Sequence, residues 1–268
     1  MPRSAVVALI PCFLAGCVVA KDAQVAVDLN VEAATQYNHR GMPQNEEGVL
    51  QPEMRVGLPT ADGGGLDVVT WGNLDLTDES GDAWFPDDNQ GRFSEIDYTL
   101  AYSRTLGAFD VALGVVHYAI LNGSEFVSGP AGSPRGPTTE VFASVTHPVW
   151  GFDPFFELHY DIDEVEDLYL KGGVGKTIEL GESVWTELSA SLGWSGEDQS
   201  LWNYGFPEAG FADLGASAAV FYQIDPVTTA HVKVSASTIV DSELQDWFDV
   251  IGIDSDNIWA AIGIGWSL

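Results

Sequence analysis

Apolar and polar side chains alternate strictly along most of the chain after residue 24. In the first such segment Val27, Leu29 and Val31 fall on one face, whereas Asp28 and Glu32 fall on the other. Because successive side chains of a β-strand point to opposite sides, a period of two predicts strands with one apolar and one polar face. Stretches with the period of an α-helix are nearly absent. The pattern therefore predicts an all-β protein.

The alternation predicts twelve strands. Most have the length of about 9 to 11 residues that a tilted strand needs to cross a bilayer, against about 5 or 6 residues in soluble sheets. The predicted strands lie at about 25–36, 50–58, 66–76, 93–103, 109–120, 138–147, 155–162, 168–178, 184–194, 212–222, 229–239 and 257–268.

The connections between these strands alternate in length. Short connections lie at 59–65, 104–108, 148–154, 179–183 and 223–228, and long polar ones at 38–49, 77–92, 121–137, 195–211 and 240–256, with a shorter member at 163–167. Outer-membrane barrels have short periplasmic turns and long outer loops, and an up-and-down barrel closes with an even number of strands. We therefore predict a single up-and-down antiparallel transmembrane β-barrel of about 12 strands over residues 21–268.

Alternation alone does not tell which face of each strand is outside. A soluble two-layer β protein would place the apolar face inside and the charged face in water, and this alternative stays open at this point. The strand lengths, the loop alternation and an apolar leader favour the membrane. The final strand also presents an apolar face that includes Ile262, Ile264 and Trp266 and runs to Leu268, like the C-terminal signal by which barrels reach the barrel-assembly machinery, although that signal usually ends in an aromatic residue.

The first 20 residues have the features of an export signal. Arg3 precedes an apolar stretch at 5–20, which is interrupted by Pro11 and is shorter than the about 20 residues of a membrane-spanning helix. Cleavage after Ala20 by ordinary signal peptidase is one possibility. The other is lipobox cleavage before Cys17, within Leu14-Ala15-Gly16-Cys17, which would make Cys17 a lipidation site. Either reading places the chain outside the cytoplasm, and with the barrel it predicts a bacterial outer-membrane location.

Charge and cysteine content exclude several classes of function. Forty Asp and Glu against ten Lys and Arg give a formal net charge of -30, which repels the phosphates of nucleic acids. The two cysteines, Cys12 and Cys17, both lie in the leader, so neither a disulfide framework nor a thiolate metal site can be built downstream. No nucleic-acid partner is expected.

Two motifs resemble a nucleotide-binding or a catalytic site but lack the neighbouring residues that such a site needs. The segment 171–177, Lys-Gly-Gly-Val-Gly-Lys-Thr, resembles part of a phosphate-binding loop, yet Leu170 takes the place of the first glycine and a turn follows instead of a helix. No nucleotide is therefore expected. His159 and Asp161 share a strand face, as a general base and its orienting carboxylate would, but no His-x-Ser sequence accompanies them. We predict that the protein is not an enzyme.

Acidic loops raise the possibility of calcium, most clearly at 78–88, 161–167 and 241–256. None of them follows the spaced Asp-x-Asp-x-Asp-Gly pattern of a calcium loop. We therefore predict no metal site and no cofactor, with the loops attracting divalent cations only loosely.

Several short motifs are similar to those of a known family. They are Tyr37-Asn38-His39-Arg40-Gly41 at the end of the first strand, Gly65-Leu66 leading to Trp71-Gly72-Asn73, Glu95-Ile96-Asp97-Tyr98, and Thr139-Glu140-Val141. Over residues 25–170 the chain resembles the TorF-type porins, also called Gcw_chp proteins, although Val68 stands where an aromatic residue is common. The resemblance implies an outer-membrane pore of unspecified substrate and supplies no catalytic residues.

The polar strand faces would line the lumen of this barrel. With Asp28 they hold thirteen carboxylates against three cations, and the residues predicted to line the lumen are Glu32, Glu53, Arg55, Asp67, Asp75, Glu95, Asp97, Asp110, Glu140, Glu157, Asp161, Lys171, Glu187, Asp213 and Lys233. Clustered carboxylates in a water-filled pore favour cations over anions. Inward aromatic residues, among them Trp71, Phe142 and Phe221, would narrow the pore to small solutes.

The resulting hypothesis is a porin-like channel for passive diffusion of small solutes with a cation preference. Its partners would be outer-membrane lipid on the outside and small solutes or cations in the lumen. The alternative is a non-conducting outer-membrane barrel that acts as an envelope scaffold or a surface interaction protein. A lumen closed by inward aromatic side chains or by an infolded loop would favour this alternative.

Overall fold

A computed structural model describes residues 24–79, 88–121 and 136–268. The leader, with both predicted cleavage positions and Cys17, lies outside the described residues. The strands are β1 Ala26–Ala34, β2 Tyr37–His39, β3 Met42–Asn45, β4 Val49–Pro59, β5 Gly65–Asp75, β6 Phe93–Leu106, β7 Phe109–Ile120, β8 Thr138–Thr146, β9 Asp153–Asp161, β10 Leu168–Glu179, β11 Val184–Ser195, β12 Gly210–Gln223, β13 Thr228–Ile239 and β14 Asp256–Ser267. The two helices are α1 Glu197–Tyr204 and α2 Ser242–Ile251.

Twelve of these strands, β1 and β4 to β14, form one closed barrel. Each pairs antiparallel with its sequence neighbour, and the first strand closes on the last through pairs that run from Asp28 with Ser267 to Ala34 with Ala261. Every backbone donor and acceptor along the strands can therefore find a partner, which is what a sheet needs within a bilayer. The predicted up-and-down barrel of twelve strands is confirmed, and the alternation located each strand to within a few residues.

The barrel exterior is apolar. Outward side chains such as Val68 and Tyr222 are about half exposed, and on β14 Ile258 is 77% and Ile262 63% exposed. Their sequence neighbours on each strand point inward and carry the polar groups. This arrangement is wrong for a soluble two-layer protein, because the largest aliphatic side chains would then face water. It is the architecture of an outer-membrane barrel, and the predicted bacterial outer-membrane location is confirmed.

The two helices lie in the outer connections 195–211 and 240–256, which the sequence predicts only to be long and polar. Asp241 caps α2, because its side chain accepts hydrogen bonds from the backbone N–H groups of Glu243 and Leu244. Leu244 and Phe248 of α2 pack with Tyr204 of α1 in a buried cluster at the outer mouth. Neither helix in the described ranges is long and apolar enough to cross a membrane.

The segment 171–177 is part of the continuous strand β10. Lys171 pairs with Gly193 on one side and with Glu157 on the other, so the glycines lie in a regular sheet. No loop that could surround a phosphate exists there, in agreement with the reading of this segment as a glycine-rich strand.

Candidate functional site

The first outer connection, 35–48, folds into the barrel as a two-stranded hairpin. The motif Tyr37 to Gly41 was predicted to end the first strand, but β1 ends at Ala34, and β2 pairs with β3 instead. Met42 and Asn45 are completely buried. We call residues 37–45 the inserted hairpin.

Hydrogen bonds attach the inserted hairpin and its base to widely separated parts of the inner wall. Gln36 Nε2 donates to Asn257 Oδ1 on β14 at 2.9 Å, and the Tyr37 hydroxyl donates to Glu95 Oε2 on β6 at 2.9 Å. Asn45 Nδ2 donates to Asp75 Oδ1 on β5 at 2.8 Å. Because these strands lie at different positions around the barrel, the hairpin reaches across the outer half of the lumen.

Arg40 occupies the turn of the hairpin. Its Nη2 donates to Glu140 Oε2 at 2.7 Å, and the two side chains are only 6% and 2% exposed. The guanidinium carbon also lies 4.2 Å from the centre of the Tyr169 ring. Arg40 is thus a fourth lumen cation beside Arg55, Lys171 and Lys233, and the sequence analysis missed it because it assigned this segment to the end of a strand and an outer loop.

Gly41 allows this turn to approach the wall. Its φ is +80°, and a Cβ atom there would lie 2.7 Å from Cβ of Asp213 on β12. Only a glycine combines this backbone conformation with such a close contact. The Tyr204 hydroxyl of α1 donates to the backbone oxygen of Arg40 at 2.8 Å, which fixes the turn from the outer side.

Glu140 is the acceptor at the centre of a polar cluster on the wall. Besides Arg40, it accepts from the Tyr118 hydroxyl at 3.0 Å, and its Oε2 lies 3.2 Å from Nδ1 of His159. The same His159 ring has its Nε2 at 3.8 Å from Glu157. One carboxylate is therefore within hydrogen-bonding distance of this ring and a second lies beside it, and within the described residues no serine is hydrogen-bonded to it.

Asp161 does not join His159, although both point inward from β9. Its carboxylate accepts from the backbone N–H groups of Asp163 and Val165, at 2.9 and 3.0 Å, and from the Thr138 hydroxyl. Asp161 thus shapes the outer loop 162–167. Among the described side chains, no group of three or more His, Cys, Asp or Glu is arranged to hold a metal ion.

Asp75 also has a structural role. It is almost fully buried at the outer end of β5, where Asn45, Asn73, Asn89 and Ser94 donate hydrogen bonds to it. Asp75 therefore ties the base of the inserted hairpin to the barrel rim.

Other predicted lumen residues form ion pairs across the inner wall. Lys233 Nζ donates to both oxygens of Glu32, at 2.7 and 2.9 Å, and His231 Nε2 lies 2.8 Å from the same carboxylate. Arg55 makes two hydrogen bonds to Asp67, at 3.0 and 2.9 Å.

The remaining predicted lumen residues are placed as follows. Lys171 Nζ is 3.9 Å from Glu157. Three carboxylates accept hydrogen bonds: Asp213 from the Tyr169 hydroxyl, Glu187 from the indole N–H of Trp185, and Asp110 from the Thr105 hydroxyl near the periplasmic rim. Glu53 lies opposite Trp71 on the neighbouring strand, and Glu95 and Asp97 lie two residues apart on the inward face of β6.

A cavity of about 450 Å³ lies between the inserted hairpin and the wall formed by β5 to β9. Tyr37 and His39 contribute from the hairpin. The wall contributes Trp71, Asp97, Thr99, Val116, Tyr118, Phe142, Ser144, Glu157 and His159. The lumen thus contains a partly aromatic, partly acidic chamber behind the hairpin.

No family model matches this chain, and no curated protein matches it either. Several solved structures are similar to this chain. One is the COG4313 outer membrane channel from Pseudomonas putida F1, with a TM-score of 0.59, 11% identity, and coverage of 94% of this chain and 97% of that one. Another is the NanC porin, with a TM-score of 0.53, 11% identity, and coverage of 90% of this chain and 100% of that one. At such low identity these likenesses establish a shared fold, and the resemblance to TorF-type porins rests on the short motifs alone.

Proposed function

We propose that this protein is a porin-like channel through which small solutes diffuse passively across the outer membrane, with a preference for cations. The observation that carries the proposal is a closed barrel with a polar, carboxylate-rich inner wall and a chamber inside it. The similar structures are an outer membrane channel and a porin by name, which supports a channel for this chain as well.

The cation preference follows from the balance of charge on the inner wall. Within the described residues, thirteen inward carboxylates face Arg55, Lys171 and Lys233, and Arg40 of the inserted hairpin raises the number of lumen Lys and Arg side chains to four. An excess of fixed negative charge around a water-filled path lowers the energy of a cation there and raises that of an anion. The hairpin narrows the path, so the solutes would be small.

Export and assembly complete the proposal. Residues 1–20 would direct export, with cleavage after Ala20 or before a lipidated Cys17. The apolar face of β14 would be recognised by the barrel-assembly machinery, and outer-membrane lipid would cover the barrel exterior.

The experiment is a conductance measurement on refolded protein in a planar bilayer under a KCl gradient. We expect ion conduction with a reversal potential of cation-selective sign. The double substitution Glu53→Gln and Glu187→Gln should reduce this selectivity, because it removes two carboxylates from the inner wall. The matched control, Glu179→Gln with Glu182→Gln, changes exposed groups near a short turn and should leave selectivity unchanged. A reversal potential of anion-selective sign would reject the charge argument.

The alternative is a non-conducting barrel that serves as a scaffold or a surface interaction protein. The inserted hairpin favours it, because a hairpin bonded to β5, β6, β8 and β14 obstructs the outer half of the lumen. Zero conductance from protein with a folded barrel would support this alternative and reject the channel.

A further inference from the structure

Three inward residues on adjacent strands form a row in the wall of the chamber. Asp97 on β6 lies directly opposite Trp71 on β5 and directly opposite Tyr118 on β7. Opposed residues on neighbouring antiparallel strands have Cβ atoms about 4.5 to 5.5 Å apart. The carboxylate of Asp97 therefore lies between two aromatic side chains.

A third aromatic ring comes from the inserted hairpin. The ring of Tyr37 lies 5.3 Å from that of Trp71, at an interplanar angle of 53°. Its hydroxyl is directed to Glu95, which precedes Asp97 by two residues on the same inward face. The chamber thus has aromatic surface on its wall and on its hairpin side.

The side chain of Asp97 supplies an acidic group to the wall of the chamber. Its Oδ1 atom is shielded from solvent and accepts no hydrogen bond from the described residues. Because Oδ1 is shielded, a cation in the chamber would interact with Asp97 through the charge of the carboxyl group and not through a hydrogen bond to this atom. Of the residues that line the chamber none is Lys or Arg, and Glu157 adds a second carboxylate.

We propose that this chamber is a binding site for an organic cation that carries a substituted ammonium group. Aromatic faces attract such cations through the ring quadrupole, and a neighbouring carboxylate supplies the counter-charge. A volume of about 450 Å³ lies within the range of small-molecule sites, about 300 to 1,000 Å³. A role of this site in binding a solute during permeation rests on the proposed channel function, but the binding itself does not.

The test is calorimetric titration of the full refolded barrel in detergent micelles with choline. The comparison ligand is the neutral isostere of choline, in which a tert-butyl group replaces the trimethylammonium group. We expect saturable choline binding at one site and at least about tenfold weaker binding of the neutral isostere. Absence of choline binding, or equal affinity for both ligands, overturns the proposal.

Variants locate the binding in the chamber. Trp71→Leu and Asp97→Asn should each weaken choline binding about fivefold or more. The matched controls Trp150→Leu and Glu182→Gln alter an aromatic and an acidic residue in exposed short turns away from the chamber, and should bind choline like the wild type. Folding of each variant is checked by its heat-dependent electrophoretic shift. If the controls weaken binding as much as the chamber variants, the site is wrongly placed.

The outcomes also separate this proposal from the channel function. Choline binding without any ion conductance rejects the channel and leaves the site intact. Conductance without choline binding rejects the site and leaves the channel intact.

Discussion

Arg40 is the residue on which the position of the inserted hairpin depends most directly. Its guanidinium is nearly buried between Glu140 and the ring of Tyr169. Removing one member of a buried ion pair leaves the other charge without compensation, whereas an exposed pair contributes little. The inner wall contains one ion pair of each kind. The pair of Arg40 with Glu140 is buried, whereas Arg55 pairs with Asp67 where the arginine side chain is half exposed.

We expect Arg40→Ala to lower the free energy of unfolding by about 3 kcal/mol, because Glu140 then stays buried with only Tyr118 and His159 as partners. Arg55→Ala should lower it by less than about 1 kcal/mol. Guanidinium titration of both variants in micelles measures the difference. Equal losses would mean that the Arg40 pair is not buried as described.

A second residue-scale prediction concerns pH and the periplasmic turn between β4 and β5. The hydroxyl groups of Thr60 and Tyr102 donate to Asp62, and they lower the pKa of this carboxyl from 3.8 to about 2. A lowered pKa in the folded state means that the carboxylate stabilises the fold at pH values above the unfolded pKa, and that this contribution is lost as the pH falls through the folded pKa.

Asp62→Asn should therefore be less stable than the wild type at neutral pH, by an amount that stays constant down to about pH 4. The gap should close as the pH approaches about 2, where Asp62 becomes protonated. Unfolding curves of both proteins over this pH range provide the measurement. A gap that is independent of pH would show that the ionised carboxylate is not what stabilises the turn.

At the scale of elements, the barrel strands were predictable and the inserted hairpin was not. Period-two alternation is a local property, so each strand from β4 to β14 could be located from its own residues. The hairpin strands span only three and four residues, and Asn38, His39 and Arg40 look like a solvated loop. Inside a polar lumen such residues are buried against polar walls, so hydrophobicity does not distinguish an infolded segment from an exposed one.

The sequence of α2 contains a helix signal that period-two alternation does not detect. Asp241 precedes Ser242 and Glu243 at the N-terminus, and Leu244 and Phe248 follow with helical spacing. The ion pairs of the lumen carried no comparable signal. Glu140 lies 100 residues from Arg40, and Glu32 lies 199 residues from His231. Such pairs depend on how the barrel closes and how far the hairpin reaches.

An element-scale prediction follows for the inserted hairpin. Replacing residues 36–46 by a short Gly-Ser connection should leave the barrel folded, because the pairing of β1 with β4 and β14 does not involve these residues. Single-channel conductance should rise several-fold, since the obstruction of the outer half is removed. The control replaces the exposed turn 224–227 by Gly-Ser residues and should conduct like the wild type. Unchanged conductance after removal of the hairpin would show that it does not narrow the path.

At the scale of the whole molecule, the barrel has an inverted distribution of polarity. Aliphatic side chains cover the outside of a barrel that has no free sheet edge, and carboxylates, amides and hydroxyls line the inside. Location, permeation and cation preference all require this arrangement. Two neighbouring residues in the middle of one strand test it most directly, because one side chain must face lipid and the other must face water in the lumen.

Leu188 and Ser189 on β11 are such a pair. Leu188 points outward and is 40% exposed, whereas Ser189 points inward and is hydrogen-bonded to Ser217 across the strand pair. Residues 21–268 contain no cysteine, so a single introduced thiol can be followed alone. The measurement is the reaction of Leu188→Cys and Ser189→Cys, each refolded into lipid vesicles, with a small water-soluble thiol reagent. We predict that the thiol at position 189 reacts readily and the thiol at position 188 does not; the reverse order, or equal rates at both positions, would contradict the account.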